Sequence, residues 1–199
     1  MKSIFCIDIP TGMQEQIQLH YRTPQRYYHT LHHIAEFIQL YQQLDAEQRW
    51  EHPKEIYLAI LYHDAVYNYG AKDNELQSAV LAKSEIAMFL PDWQVNLEYV
   101  ARLIELTAKH SQLSSADISV EEALFLDCDM AILASPIERF REYEEQIGQE
   151  YTQVYNRFLY NIGRTKFLRG VLQSPRIYLS DYFFQRYESI ARENIATLL

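Results

Sequence analysis

Three clusters in the 199-residue chain bring together side chains that could do chemistry. The first is Tyr28-His29-Thr30-Leu31-His32-His33-Ile34, with His29 and His33 four residues apart. On a helix that spacing puts two imidazoles on one face about a turn apart, with His32 turned about 100° away from His33. The second is His63-Asp64, which follows the apolar run Ile56 to Tyr62 and precedes Ala65-Val66-Tyr67. The third is Asp127-Cys128-Asp129, set between Ala123-Leu124-Phe125-Leu126 and Met130-Ala131-Ile132-Leu133. An ionised carboxylate in apolar surroundings is costly unless it is paired or bound to a cation. No Lys or Arg lies within one helical turn of Asp64 or Asp129. A divalent metal held by two imidazoles and two carboxylates would supply that charge, and a mixed nitrogen and oxygen set suits Mn, Fe, Co, Ni, Zn or Mg. Asp127 and Asp129 point about 200° apart on a helix, so one of the two faces such a site and the other does not. A single helical histidine is more often a packed or surface residue. It is the combination of the three clusters that points to a metal.

The elements that must carry these clusters are helices. Thr23-Pro24 precedes a helical pattern over about Arg26 to Leu44, with Leu31, Ile34, Phe37, Ile38 and Tyr41 at helical spacing. Pro53 opens a helix that runs through His63-Asp64 to about Tyr67. After a turn at Gly70 and Asp73-Asn74, helices are predicted from about Glu75 to Phe89 and from Pro91-Asp92 to Lys109 or His110. Ser119-Val120-Glu121-Glu122 has capping-box spacing and opens the helix that holds Asp127 and Asp129; Ser135-Pro136-Ile137-Glu138 repeats the pattern. Two more helices are expected at about 151–172 and 180–197. The prediction is an all-α bundle of about eight helices in a single domain spanning residues 1–199.

Composition narrows the class. Hydrophobic residues make up 48 %, and five glycines and six prolines are too few for a turn-rich β-sandwich. The net charge of −9 argues against a nucleic-acid polymer or an anionic membrane as main partner, since neutralising phosphates takes clustered Lys and Arg. A small phosphorylated ligand needs only a local positive site. Cys6 and Cys128 show no pairing pattern, so a reduced, cytoplasmic setting is expected. The N-terminal stretch MKSIFCIDIP lacks the form of a signal peptide, and no apolar stretch reaches the roughly 20 residues of a membrane helix.

The order His33, His63-Asp64, Asp129 resembles the H…HD…D motif of the HD superfamily of metal-dependent phosphohydrolases. Wider blocks resemble its branch of uncharacterised predicted phosphohydrolases of about 200 residues, and together they span the chain almost end to end. They are Pro24 to Ile34, Leu61 to Tyr67, Asp73 to Ala79, Thr107 to His110, Phe125 to Leu133, Gly163-Arg164 and Glu188 to Asn194. The resemblance implies an HD-domain-like helical fold and a divalent metal held by His33, His63, Asp64 and Asp129. Asp129 is preferred to Asp127 because Asp129-Met130-Ala131 fits the final block; Asp127 is left to cap, pair or support a ligand.

Tyr28 to His33 also resembles the pattern of cyclic-nucleotide phosphodiesterases of the superfamily, where the first histidine of the i, i+4 pair donates a proton to the leaving oxygen, and that resemblance implies His29 as the candidate general acid. Arg26 becomes a candidate phosphate clamp, Lys109 and His110 candidates to face substrate phosphate, Arg164 a further one, and Glu75 a candidate to orient the attacking water. One position departs from several nucleotide-cleaving relatives: where they carry an acid three residues after the HD aspartate, this chain has Tyr67. Tyr62, Tyr67 and Tyr69 could stack a base or ring, or simply pack.

The function these residues point to is metal-assisted hydrolysis of a small phosphate ester or nucleotide. Two rivals stand beside it. An HD-fold di-iron oxygenase would need more ligands than can be assigned, and the absence of any Glu-x-x-His pair disfavours a ferritin-like di-iron bundle as well. A non-catalytic helical metal-binding or scaffold protein would keep the fold without the chemistry.

Overall fold

The computed structural model describes residues 4–199, so the first three residues of the N-terminal stretch lie outside it. The described residues are all-α, with nine α-helices and no strand. They divide into two compact units, the first ending at Lys109 and the second running from His110 to Leu199. No helix among the described residues is long and apolar enough to cross a membrane.

The first unit holds α1 (Thr11–His20), α2 (Leu31–Ala46), α3 (Pro53–Tyr62), α4 (Asn74–Phe89) and α5 (Leu97–Thr107). Its centre is α3. Every residue from Glu55 to Tyr62 is buried, as expected of a helix apolar on almost all sides, and α2, α4 and α5 pack around it. Helix α1, which packs on α4, is the ninth helix that the sequence pattern did not reveal. Only Met13 and Ile17 of its ten residues are buried, so its apolar stripe is a single i, i+4 pair.

Three boundaries in this unit differ from the periodicity, each for a capping reason. Helix α2 starts at Leu31, not near Arg26, because Thr30 is extended and its side chain accepts the His32 amide. Helix α3 stops at Tyr62, with His63 as its C-cap rather than an interior residue. Helix α5 starts at Leu97 because Asn96 caps the Tyr99 amide, while the Glu55 carboxylate accepts the Asn96 amide.

The second unit holds α6 (Val120–Met130), α7 (Ile137–Tyr151), α8 (Arg157–Gln173) and α9 (Asp181–Ala196), with short 3-10 turns at His110–Gln112 and Ala131–Ala134. The Ser119–Glu122 capping box forms as its spacing requires. The Ser135–Glu138 box does not. Pro136 takes the N-cap place, and the Ser135 hydroxyl is buried without a partner. Helix α8 starts at Arg157, not 151, because Asn156 caps the Leu159 amide. Helix α9 packs on the 131–134 turn, where Asn194 donates 2.9 Å hydrogen bonds to the carbonyls of both Leu133 and Ser135.

Candidate metal centre

Within the first unit, the start of α2 and the end of α3 bring three of the four expected ligands together. His33 Nε2 lies 3.1 Å from His63 Nε2, and Asp64 Oδ2 lies 3.1 Å from His63 Nε2 and 3.8 Å from His33 Nε2. Both imidazoles are buried, and the Asp64 side chain is 16 % exposed, which leaves the cluster a path to solvent. Donor atoms that share a cation at about 2.0–2.1 Å stand roughly 3.0–3.4 Å apart, so the two 3.1 Å spacings fall in the range of a small divalent ion and the 3.8 Å spacing of His33 and Asp64 lies beyond it.

The tautomer agrees. His63 Nδ1 is 2.9 Å from the Ile60 carbonyl, which can only accept, so Nδ1 carries the proton and Nε2 offers its lone pair to the cluster. A backbone carbonyl holding the far nitrogen of a ligating histidine is the usual support for metal binding. The same 3.1 Å spacing also suits an N–H···N hydrogen bond from His33 to His63. A cation and that proton exclude one another, so the donor set fits a metal provided His33 carries its proton on Nδ1.

The loop that bears Asp64 is held by α4. Ser78 accepts the Val66 amide at 3.0 Å and donates to the Val66 carbonyl at 3.2 Å. Asn74 makes the same reciprocal pair with Asn68, at 2.9 and 3.0 Å. Glu75 sits half-buried in the first turn of α4, beside these contacts in sequence.

His29 is not on α2, which corrects the premise of an i, i+4 pair on one helix. It precedes the Thr30 cap, yet the turn still places its ring 6.3 Å from the His33 ring. The His29 ring stacks on Tyr67 at 4.0 Å and 23°. Tyr67, read from the sequence as a missing acid, is therefore the platform under His29.

Arg26 takes a task the sequence did not foresee. It is buried, and its hydrogen bonds go to Thr23 Oγ1 and to the carbonyls of His29, Asp64 and Ala65. These donors are spent on the protein, not presented to a phosphate. Nothing local could have signalled this, because its partners in the Asp64 turn are 38 and 39 residues away. Lys109 is exposed just beyond α5.

The remaining candidates belong to the second unit. Asp129, half-buried, is the penultimate residue of α6. Asp127 is fully buried and accepts the amides of Leu179 and Ser180 at 2.7 Å and the Ser180 hydroxyl at 2.6 Å. It thus fastens the segment leading into α9, the structural alternative left open by the sequence. His110 Nε2 is 3.8 Å from Asp127 Oδ1. Arg164 is bound to Glu144 through two nitrogens and to the Tyr143 hydroxyl at 2.9 Å, which commits its charge to α7. Burial, reinforced by the charges of Asp127 and Asp129, pushes the Cys128 thiol well up, so it stays protonated and inert.

No protein-family model, curated protein or solved structure matches the chain.

Proposed function

We propose that this protein is a metal-dependent phosphohydrolase of the HD type, acting on a small phosphate ester or nucleotide. The observation that carries the reading is the convergence of His33 Nε2, His63 Nε2 and Asp64 Oδ2, each pair within 3.8 Å, with His63 fixed in a ligating tautomer. A divalent cation held there supplies Lewis acidity toward a phosphoryl oxygen and lowers the pKa of water.

The chain's own residues do the rest. The Ile60 carbonyl holds the proton on His63 Nδ1. His29, stacked on Tyr67, is the candidate to pass a ring proton to the leaving oxygen. Glu75 is the candidate to orient the attacking water, and Lys109 the exposed cation to offset phosphate charge. The resemblance alone adds Asp129 as a further ligand.

The test is hydrolysis of a panel of phosphate esters and nucleotides by the purified chain, assayed with each candidate divalent metal. His63→Ala serves as the control. At least one substrate should turn over, with a rate at least about 100-fold lower in the variant. No turnover by the metal-loaded wild type, or equal rates in the two proteins, would refute the reading.

A further inference from the structure

Arg26 joins the two halves of the candidate centre. The Asp64 ligand sits in the turn after α3, and His29 sits in the loop before α2. The guanidinium spans them. Nη1 donates to the His29 carbonyl at 3.0 Å and to the Asp64 carbonyl at 2.7 Å, Nη2 to the Ala65 carbonyl at 2.9 Å, and Nε to Thr23 Oγ1 at 3.1 Å. Four of its five N–H groups are engaged in one plane. Aromatic rings flank it, with the guanidinium carbon 5.1 Å from the Tyr21 ring centre and 5.6 Å from that of Tyr67. Tyr67 in turn stacks on His29. The same two loops meet again where the Tyr69 hydroxyl donates to the Gln25 carbonyl at 2.6 Å.

We infer that Arg26 is a positioning residue: by pinning the carbonyls of His29, Asp64 and Ala65 to one planar cation, it sets the direction of the Asp64 carboxylate and the place of His29 together. The inference rests on the metal centre proposed above. A lysine could not replace it, because a single ammonium cannot reach three carbonyls and a hydroxyl arranged around a flat fork. Residues that orient ligands from behind commonly change metal affinity about 10–100-fold when removed.

The experiment is titration of the full metal-free chain with cobalt(II) against a competing chelator, recording the visible spectrum, for wild type, Arg26→Lys and Arg26→Ala. Both variants should bind cobalt about 10–100-fold more weakly, with altered visible bands, and guanidinium ion should restore part of the affinity to Arg26→Ala but not to Arg26→Lys. Arg26→Lys keeps the charge and the aliphatic stem, so it carries the test if Arg26→Ala does not fold. A folded variant with a lower melting temperature but wild-type affinity and spectrum would overturn the inference and leave the metal centre standing. A wild-type chain that binds no cobalt would overturn both.

Discussion

The Nε2 atoms of His33 and His63 lie 3.1 Å apart although thirty positions separate them in the chain. The contact exists because the first turn of α2 meets the last turn of α3, and each end is fixed locally. The Thr30 side chain sets where α2 begins, and the Ile60 carbonyl sets how the His63 ring is turned.

Thr30→Ala should therefore loosen the start of α2. Loss of this N-cap is expected to cost about 1 kcal/mol of stability. That corresponds to a drop of ~2–4 °C in Tm for a chain of this size, read by thermal melting. Metal affinity should fall in the same variant, because His33 sits in the turn that the cap begins.

Asp127 and Asp129 should differ in their effect on metal content. Asp127→Ala strips two amides and a hydroxyl of their buried acceptor, a loss of roughly 3 kcal/mol by denaturant melting, without changing metal content. Asp129→Ala should lower metal content. Metal content lowered by Asp127→Ala and kept by Asp129→Ala would contradict the assignment of Asp129 as the further ligand.

His29→Gln separates proton transfer from metal binding. The ring touches Tyr67 and lies 6.3 Å from the His33 ring, so its loss should leave metal content unchanged. The rate on a phosphate ester should fall by about 100- to 10,000-fold, measured at saturating substrate and metal.

How much of this was legible in the sequence follows from what is local. The helical class, the Ser119–Glu122 box and the buried α3 could be read from spacing alone. So could the pairing of His63 with Asp64, since neighbours need no tertiary contact to meet. Helix boundaries depart from the periodicity where one cap outweighs it, as at Thr30 and Asn96. Ser135 shows the converse, a motif present in sequence whose hydroxyl makes no bond once Pro136 takes the cap. The hold of Arg26 on the Asp64 turn was out of reach, because those partners lie 38 and 39 residues away, and for Asp127 the sequence leaves a capping role open without naming its partners, which lie 52 and 53 residues away.

Acid stability should reveal a second buried cluster in the first unit. Glu85 accepts from the Tyr62 hydroxyl at 2.8 Å and pairs with His20 Nε2 at 2.9 Å, linking α1, α3 and α4. Burial alone would raise the Glu85 carboxyl, but the hydrogen bonds from His20 and Tyr62 and the His20 charge hold it below its usual value. Burial and the Glu85 charge push the Tyr62 hydroxyl up, so it remains a donor. A carboxyl depressed on folding stabilises above its unfolded pKa and loses that contribution as pH falls through its folded pKa. The wild type should thus lose stability steeply below about pH 4.5, while Glu85→Gln, less stable at neutral pH, should show a flatter profile in urea melts across the same range.

The central claim is that His33, His63 and Asp64 hold one divalent cation. Its most direct test is elemental analysis by inductively coupled plasma mass spectrometry. Wild type, His33→Ala, His63→Ala and Asp64→Ala would each be reconstituted with a divalent metal, desalted and checked for native helicity. The account predicts about one ion per wild-type chain and less than about a tenth of that in each variant. Metal retained at wild-type level in the folded variants, or none held by the wild type with any of the six candidate metals, would contradict it.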